Sequence, residues 1–118
     1  MGTQRELEIV RHTTMNNLEI FLVEMTERSP HGHDDLEIGL LLEGGMTLFL
    51  EQETYELKEG DIYLINRYQV HSFFNTGEKN LILAFQIPTD FYRRLNPQLT
   101  YLRFESNVIH SGHLHTHL

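Results

Sequence analysis

From residue 6 to residue 87 the chain is a succession of short segments rich in leucine, β-branched and aromatic residues. Glycine, asparagine or charged residues cut each one off before it reaches ordinary helix length. That punctuation restricts the chain to β-structure, because runs of four to eight such residues bounded by turn formers suit a pleated, half-buried strand. Strands are expected over Glu6 to Val10, Leu18 to Met25, Leu36 to Leu42, Met46 to Glu51, Tyr55 to Leu57, Asp61 to Ile65, His71 to Asn75 and Leu81 to Ile87. Their close spacing predicts a mainly all-β sandwich or small barrel of antiparallel strands. "EGG" at 43 to 45 and "NTGEKN" at 75 to 80 are expected hairpin loops, since glycine takes positive φ without steric cost and asparagine tolerates it. After Ile87 the texture changes. "DFYRRLN" sets Phe91 and Leu95 one helical turn apart and Pro97 stops the segment, which predicts one short helix. "LTYLRFES" at 99 to 106 is expected to add an edge strand, and the tail "VIHSGHLHTHL" has no clear pattern. At 118 residues the chain can bury one core, so a single domain is expected: an N-terminal arm over 1–14, a barrel over 15–87, and a helix with a C-terminal segment over 88–118.

Charge and cysteine content exclude several functions. Seventeen acidic residues against nine basic ones give a net charge of -8, with the basic residues scattered, which offers no footprint for a phosphate backbone or an anionic membrane. The start, "MGTQRELEIV", is charged where a signal peptide needs an apolar stretch, and no apolar run approaches the roughly 18 to 20 residues that span a bilayer. A cytoplasmic protein without a membrane partner is expected. With no cysteine, disulfides, thiolate zinc sites and a cysteine nucleophile are excluded. Any metal site must then use His, Asp and Glu.

The stretch "HGHDDLEIGLLLEG", residues 31 to 44, carries such groups. In an extended strand, side chains alternate with period 2, so His31, His33 and Glu37 share a parity and are expected to face the same side. A second segment, "GDIYLINRYQVHSFFN" from 60 to 75, brings His71 at the start of another strand, with Phe73 and Asn75 on its parity. Three imidazoles and one carboxylate meeting inside a barrel would suit Fe(II), Mn(II), Ni(II), Cu(II) or Zn(II). The alternative is a polar strand end whose side chains hydrogen-bond loops. Asp34 and Asp35 read as a solvated turn, and His12 as a surface residue. Phe49, Tyr63, Phe73 and Phe85 read as core that could floor a small-molecule cavity. Ile38, Leu40 and Leu42 have the opposite parity to Glu37 and need cover from the arm, a neighbouring sheet or a second subunit. His113, His115 and His117 form a terminal histidine-rich tract to which no site is assigned.

Both segments resemble the two signature motifs of the cupin superfamily. His31, His33, Glu37 and Gly44 fit the spacing of the first, and Gly60, His71 and Asn75 that of the second, while Asn66 stands where the family usually has proline, Tyr68 where it has glycine, and Met25 at the glycine position upstream. The resemblance implies a double-stranded β-helix or jelly-roll barrel, with His31, His33, Glu37 and His71 as the metal ligands. The wording between the motifs, and the continuation "FQIPTDFYRRLNPQLTYLRFESN", are further similar to the effector-binding cupin of AraC-type transcription regulators over roughly residues 15 to 107. That likeness implies a small-molecule effector-sensing and dimerisation domain, a homodimer. DNA would be reached only through a C-terminal helix-turn-helix domain that is absent from this chain. Whether a divalent transition metal is bound stays open, because such sensors frequently work without one. The alternative is a small metal-dependent cupin enzyme of dioxygenase or isomerase type.

Overall fold

The computed structural model describes residues 7–25, 27–31, 34–75, 77 and 79–112, at 7, 8 and 27–31 the backbone alone. Ten strands build it: β1 (Leu7–Met15), β2 (Leu18–Met25), β3 (Glu27–His31), β4 (Asp35–Glu43), β5 (Met46–Leu50), β6 (Glu53–Leu57), β7 (Ile62–Ile65), β8 (His71–Phe74), β9 (Leu81–Pro88) and β10 (Val108–Ile109). All pair antiparallel, in a six-stranded sheet of order β1-β2-β9-β4-β7-β10 and a four-stranded sheet of order β3-β8-β5-β6. The mainly all-β expectation holds. The short helix α1 (Thr89–Arg93) follows β9, as expected, and a 3-10 turn over Pro97–Tyr101 comes next. Among the described residues no helix is long and apolar enough to cross a membrane.

Several expectations are corrected. Residues 7–14 of the expected arm belong to the nine-residue strand β1, joined to β2 by Asn16 and Asn17, whose φ of 52° and 69° suit the two-residue hairpin turn. The loops at 43 to 45 and 75 to 80 are not hairpins. Each carries the chain from one sheet to the other, since β4 and β9 pair within the six-stranded sheet and β5 and β8 within the four-stranded one. Glycine and asparagine report that the chain turns, not which strand it will meet. The stretch 99 to 106 forms no strand; Pro97 and Asn96, whose side chain accepts from Gln98 N, start the 3-10 turn instead. A two-residue strand, β10, lies in the tail that showed no pattern.

Register turns the six-stranded sheet into rows. Facing outward, Ile20, Phe85, Ile38 and Leu64 lie directly across from one another on β2, β9, β4 and β7, as do Leu22, Leu83, Leu40 and Ile62. All eight are half-buried. Facing inward, one row runs Val23, Ile82, Leu41, a second Phe21, Ala84, Gly39, Tyr63, and a third Glu19, Gln86, Glu37, Ile65. The first two rows join Leu48, Leu50, Leu57 and Phe73 of the other sheet in one core. Alternation explains this: Leu48 and Leu50 point in at 0% and 2% exposure, with Phe49 between them pointing out at 42%. Each such leucine contributes roughly 1.5 to 3 kcal/mol by leaving water.

Candidate functional site

The third inner row is where the apolar pattern fails, and it forms the candidate site. Glu37 sits on β4 with only 6% exposure. Carboxylates are rarely so buried without donors, and two donors are present. Tyr63 Oη donates to Glu37 Oε2 at 2.7 Å, and Gln86 Nε2 donates to Oε1 at 3.3 Å. Tyr63 reaches Glu37 because it lies opposite Gly39, two residues further along β4. A Cβ at residue 39 would stand 1.9 Å from Tyr63 Cε2, so the ring fills the space that glycine leaves. Burial first, and the negative charge of Glu37 second, push the Tyr63 phenol well above its ordinary range, keeping it a donor.

Glu19, the outer member of the row, accepts from His12 Nε2 and from Thr14 Oγ1. The His12 bond chiefly, and the Thr14 bond next, hold its carboxyl below the usual range. His12 also stacks on Phe21, centroids 4.5 Å apart. Glu19 and Gln86, with Asn17, Asp35, Pro88 and Asp90, line a cleft of about 360 Å³. Gln86 therefore stands between open space on one side and Glu37 on the other.

His71 belongs to the four-stranded sheet, opposite Leu50 of β5, and is 1% exposed. Its Nδ1 donates to the Gln69 carbonyl at 2.8 Å, which makes Nε2 the basic nitrogen. The imidazole meets Phe73 edge-on at 5.9 Å, and Phe73 meets Tyr63 edge-on at 5.0 Å. Packed rings thus connect His71 through Phe73 and Tyr63 to Glu37, across both sheets.

Of the four expected ligands, Glu37 and His71 are thus inside the sandwich. The side chain of His31 and the whole of His33 lie outside the described residues, as do His113, His115 and His117. The backbone of His31 pairs with that of His71. The parity argument linking His31 to Glu37 fails, since β3 ends at His31, β4 begins at Asp35, and the two strands belong to different sheets. Among the described residues no three ligating side chains come together in a way that could hold a metal. The two described donors still have the right chemistry. An imidazole whose Nδ1–H is held by a carbonyl turns its basic nitrogen, Nε2, the other way, and a carboxylate supplies hard oxygen donors.

Of the four expected pocket residues, Tyr63 and Phe73 are inside. Phe49 and Phe85 are not: Phe49 is exposed on the outer face of the four-stranded sheet, and Phe85 belongs to the outer apolar row. In each strand the neighbours, Leu48 with Leu50 and Ala84, took the inner positions. Sequence reasoning missed Gln86, Glu19 and Gly39. A signal for Gln86 was present, since in "LILAFQIP" it shares the inward parity of Ile82 and Ala84. Asp34, read as part of a solvated turn, is exposed and accepts from Arg67 Nε at 2.8 Å.

Comparison with known proteins agrees with this geometry. The profile described as "Cupin domain" matches residues 11–87. An uncharacterised protein of Aquifex aeolicus (strain VF5) is 34% identical over 90 residues, 75% of this chain and 74% of that protein. Among solved structures, a cupin-2 domain containing protein from Shewanella frigidimarina NCIMB 400 has a TM-score of 0.59 at 20% identity, covering 74% of this chain and 84% of the other. A transcriptional regulator of the HTH_3 family from Vibrio cholerae has a TM-score of 0.58 at 23% identity, covering 70% of this chain and 51% of the other. At these identities the two structures speak for the fold alone.

Proposed function

This chain belongs to the cupin domain family, and on that premise we propose that it is a small-molecule sensor, the effector-binding and dimerisation domain of an AraC-type transcription regulator. The observation that carries the reading is Glu37, a buried carboxylate held by Tyr63 and Gln86, with a cleft on the far side of Gln86. Small-molecule sites rely on a few fixed polar groups to set orientation, and Glu37, held by Tyr63 and Gln86, is such a group. Tyr63 is held as a donor, which suits binding better than proton transfer near neutral pH. The Vibrio cholerae transcriptional regulator has this fold in about half of its chain, so the fold is compatible with a place inside a regulator. DNA would be reached only through a separate DNA-binding part, because a net charge of -8 supplies no phosphate-neutralising surface. The two outer apolar rows would be covered by a second copy, a self-complementary arrangement suited to a two-fold axis. A cytoplasmic location goes with this reading.

One observation favours a second reading, the metal-dependent cupin enzyme: the bond from His71 Nδ1 to the Gln69 carbonyl is the arrangement that prepares Nε2 for a metal. A metal there, held by His71 and Glu37 with His31 and His33, would supply Lewis acidity. In either case this chain's own residues act alike: Tyr63 and Gln86 orient Glu37, and the Gln69 carbonyl fixes the His71 tautomer.

A thermal-shift screen of sugars, small acids and aromatic metabolites, with and without Fe(II), Mn(II), Ni(II) and Zn(II), followed by product analysis, separates the two. The sensor reading expects a ligand that stabilises the folded chain, by about 2.7 kcal/mol at a hundredfold excess over its Kd, is not consumed, and binds more weakly to Glu37→Gln. A metal-dependent hit that is turned over, and whose turnover His71→Ala abolishes, would establish the enzyme instead.

A further inference from the structure

The turn that delivers His71 also holds residues 104–107. Asn66, at the position where the cupin motif usually has proline, is 4% exposed and clamps the backbone of Phe104 at two points: Asn66 Oδ1 accepts from Phe104 N at 2.6 Å, and Asn66 Nδ2 donates to Phe104 O at 3.1 Å. A proline could make neither bond. Tyr68, at the usual glycine position, takes the left-handed φ of 60° that the turn demands. Gln69, 8% exposed, closes the turn: its Oε1 accepts from Asn66 N and from Asn107 Nδ2, each at 3.1 Å. Asn107 exchanges two further bonds with Leu64, both at 2.8 Å, and β10 follows alongside β7. Asp61, 2% exposed, then fastens the last described turn, accepting from Ser111 N at 2.8 Å and from His110 Nδ1 at 3.1 Å.

Gln69 is therefore shared. Its side chain holds Asn66 and Asn107, which hold residues 104–107, while its carbonyl takes the proton of His71 Nδ1. We propose that residues 102–111 form a strap whose docking is coupled to the state of His71 through Gln69. A group that engages His71 shifts the ring, the Gln69 carbonyl must follow to keep its bond, and the Gln69 amide then sits differently against Asn66 and Asn107. The coupling runs both ways, as thermodynamic linkage requires: a loosened strap changes the His71 ring. In a sensor, the strap would carry the signal from His71 to β10, the edge strand of the six-stranded sheet. That last step rests on the sensor reading. The coupling itself does not.

The test is made on the free, full chain. Gln69→Met removes the side-chain acceptor but leaves the carbonyl, and Gln69→Glu keeps an acceptor oxygen. Amide hydrogen exchange reports the strap at Phe104 and Ser111, with the β2–β9 amides as the internal reference, and ¹⁵N shifts of the imidazole report His71. The expected result is that Gln69→Met speeds strap exchange about fivefold or more, the lower end of ordinary coupling strengths, and moves the His71 nitrogen resonances, and that Gln69→Glu restores both. Asn107→Ala, which frees the strap one bond further away, should move the same resonances and keeps the question open to test if Gln69→Met fails to fold. A strap that exchanges faster while the His71 resonances stay at their wild-type positions overturns the proposal, and so does strap exchange indifferent to Gln69→Met. Because neither readout needs an effector, a failed ligand screen would remove the sensor reading and leave this result standing.

Discussion

Tyr63→Phe isolates the bond on which the candidate site depends. The substitution removes one hydroxyl and leaves the ring, so the packing over Gly39 and the edge-on contact with Phe73 at 5.0 Å survive and no cavity opens. What is lost is a 2.7 Å hydrogen bond to a carboxylate that is 6% exposed. Bonds to charged groups contribute about 1.5 to 3 kcal/mol, and Gln86 donates to the other carboxylate oxygen, at 3.3 Å, so it does not replace the lost bond. The variant should therefore be less stable by about 2 kcal/mol at pH 7, a fall in Tm of about 8 °C for a domain near a hundred residues. Urea unfolding should show the midpoint moving with the m-value unchanged.

A second readout comes from pH. The Tyr63 phenol is raised in the folded state, by burial first and by Glu37 second. Above about pH 10 the unfolded chain therefore releases this proton while the folded chain retains it. The unfolded state then binds fewer protons, so stability falls as pH rises, by up to about 1.4 kcal/mol per pH unit for this one group. Tyr63→Phe lacks that contribution. The gap between variant and wild type should narrow above about pH 10. A loss below about 0.5 kcal/mol at pH 7, or a gap that stays constant into the alkaline range, would refute the bond and with it the view that Tyr63 orients Glu37.

Gly39→Ala places a methyl 1.9 Å from Tyr63 Cε2 in a fully packed interior and should cost about 3 kcal/mol. In a Tyr63→Ala background the same change should cost under about 1 kcal/mol, a non-additivity read from urea unfolding of the four proteins, and additive costs would count against the steric argument. Leu40→Glu, in the middle of an outer apolar row, should convert a dimer at tens of micromolar into a monomer by sedimentation equilibrium. A wild-type chain that sediments as a monomer would remove the dimer from the proposal.

How much of this was legible depends on the range over which each signal acts. β2 appears over the expected Leu18 to Met25, because alternation and turn residues are local. The inward position of Glu37 and the outward set Ile38 and Leu40 followed from parity within β4 alone. Parity failed between His31 and Glu37 because the chain changes sheet there, an event that no period-2 pattern records. Phe49 shows the limit of composition: an aromatic residue inside an apolar run was read as core, yet its neighbours Leu48 and Leu50 define the inner face. The partnership of Gly39 with Tyr63 was invisible for another reason. It depends on β4 and β7, residues 24 positions apart, lying in one register, so neither residue is unusual until the two are opposite.

The inner row also separates what the fold requires from what the site requires. Leu41, on the same strand and the same face as Glu37, is 1% exposed and meets the ordinary demand of a core. A leucine at 37 would satisfy that demand too. Replacing buried charges by well-packed apolar groups is often neutral or stabilising, because desolvating a carboxylate costs several kcal/mol that its bonds only offset. The chain instead keeps the carboxylate and surrounds it with a glycine that admits a tyrosine, the tyrosine itself, and a glutamine facing a cleft. Tyr63 also fills the core between the sheets, but its hydroxyl and the amide of Gln86 are spent on holding Glu37 in one orientation. A local departure from core chemistry that several neighbouring groups support is where a functional site is expected, because there position matters more than stability.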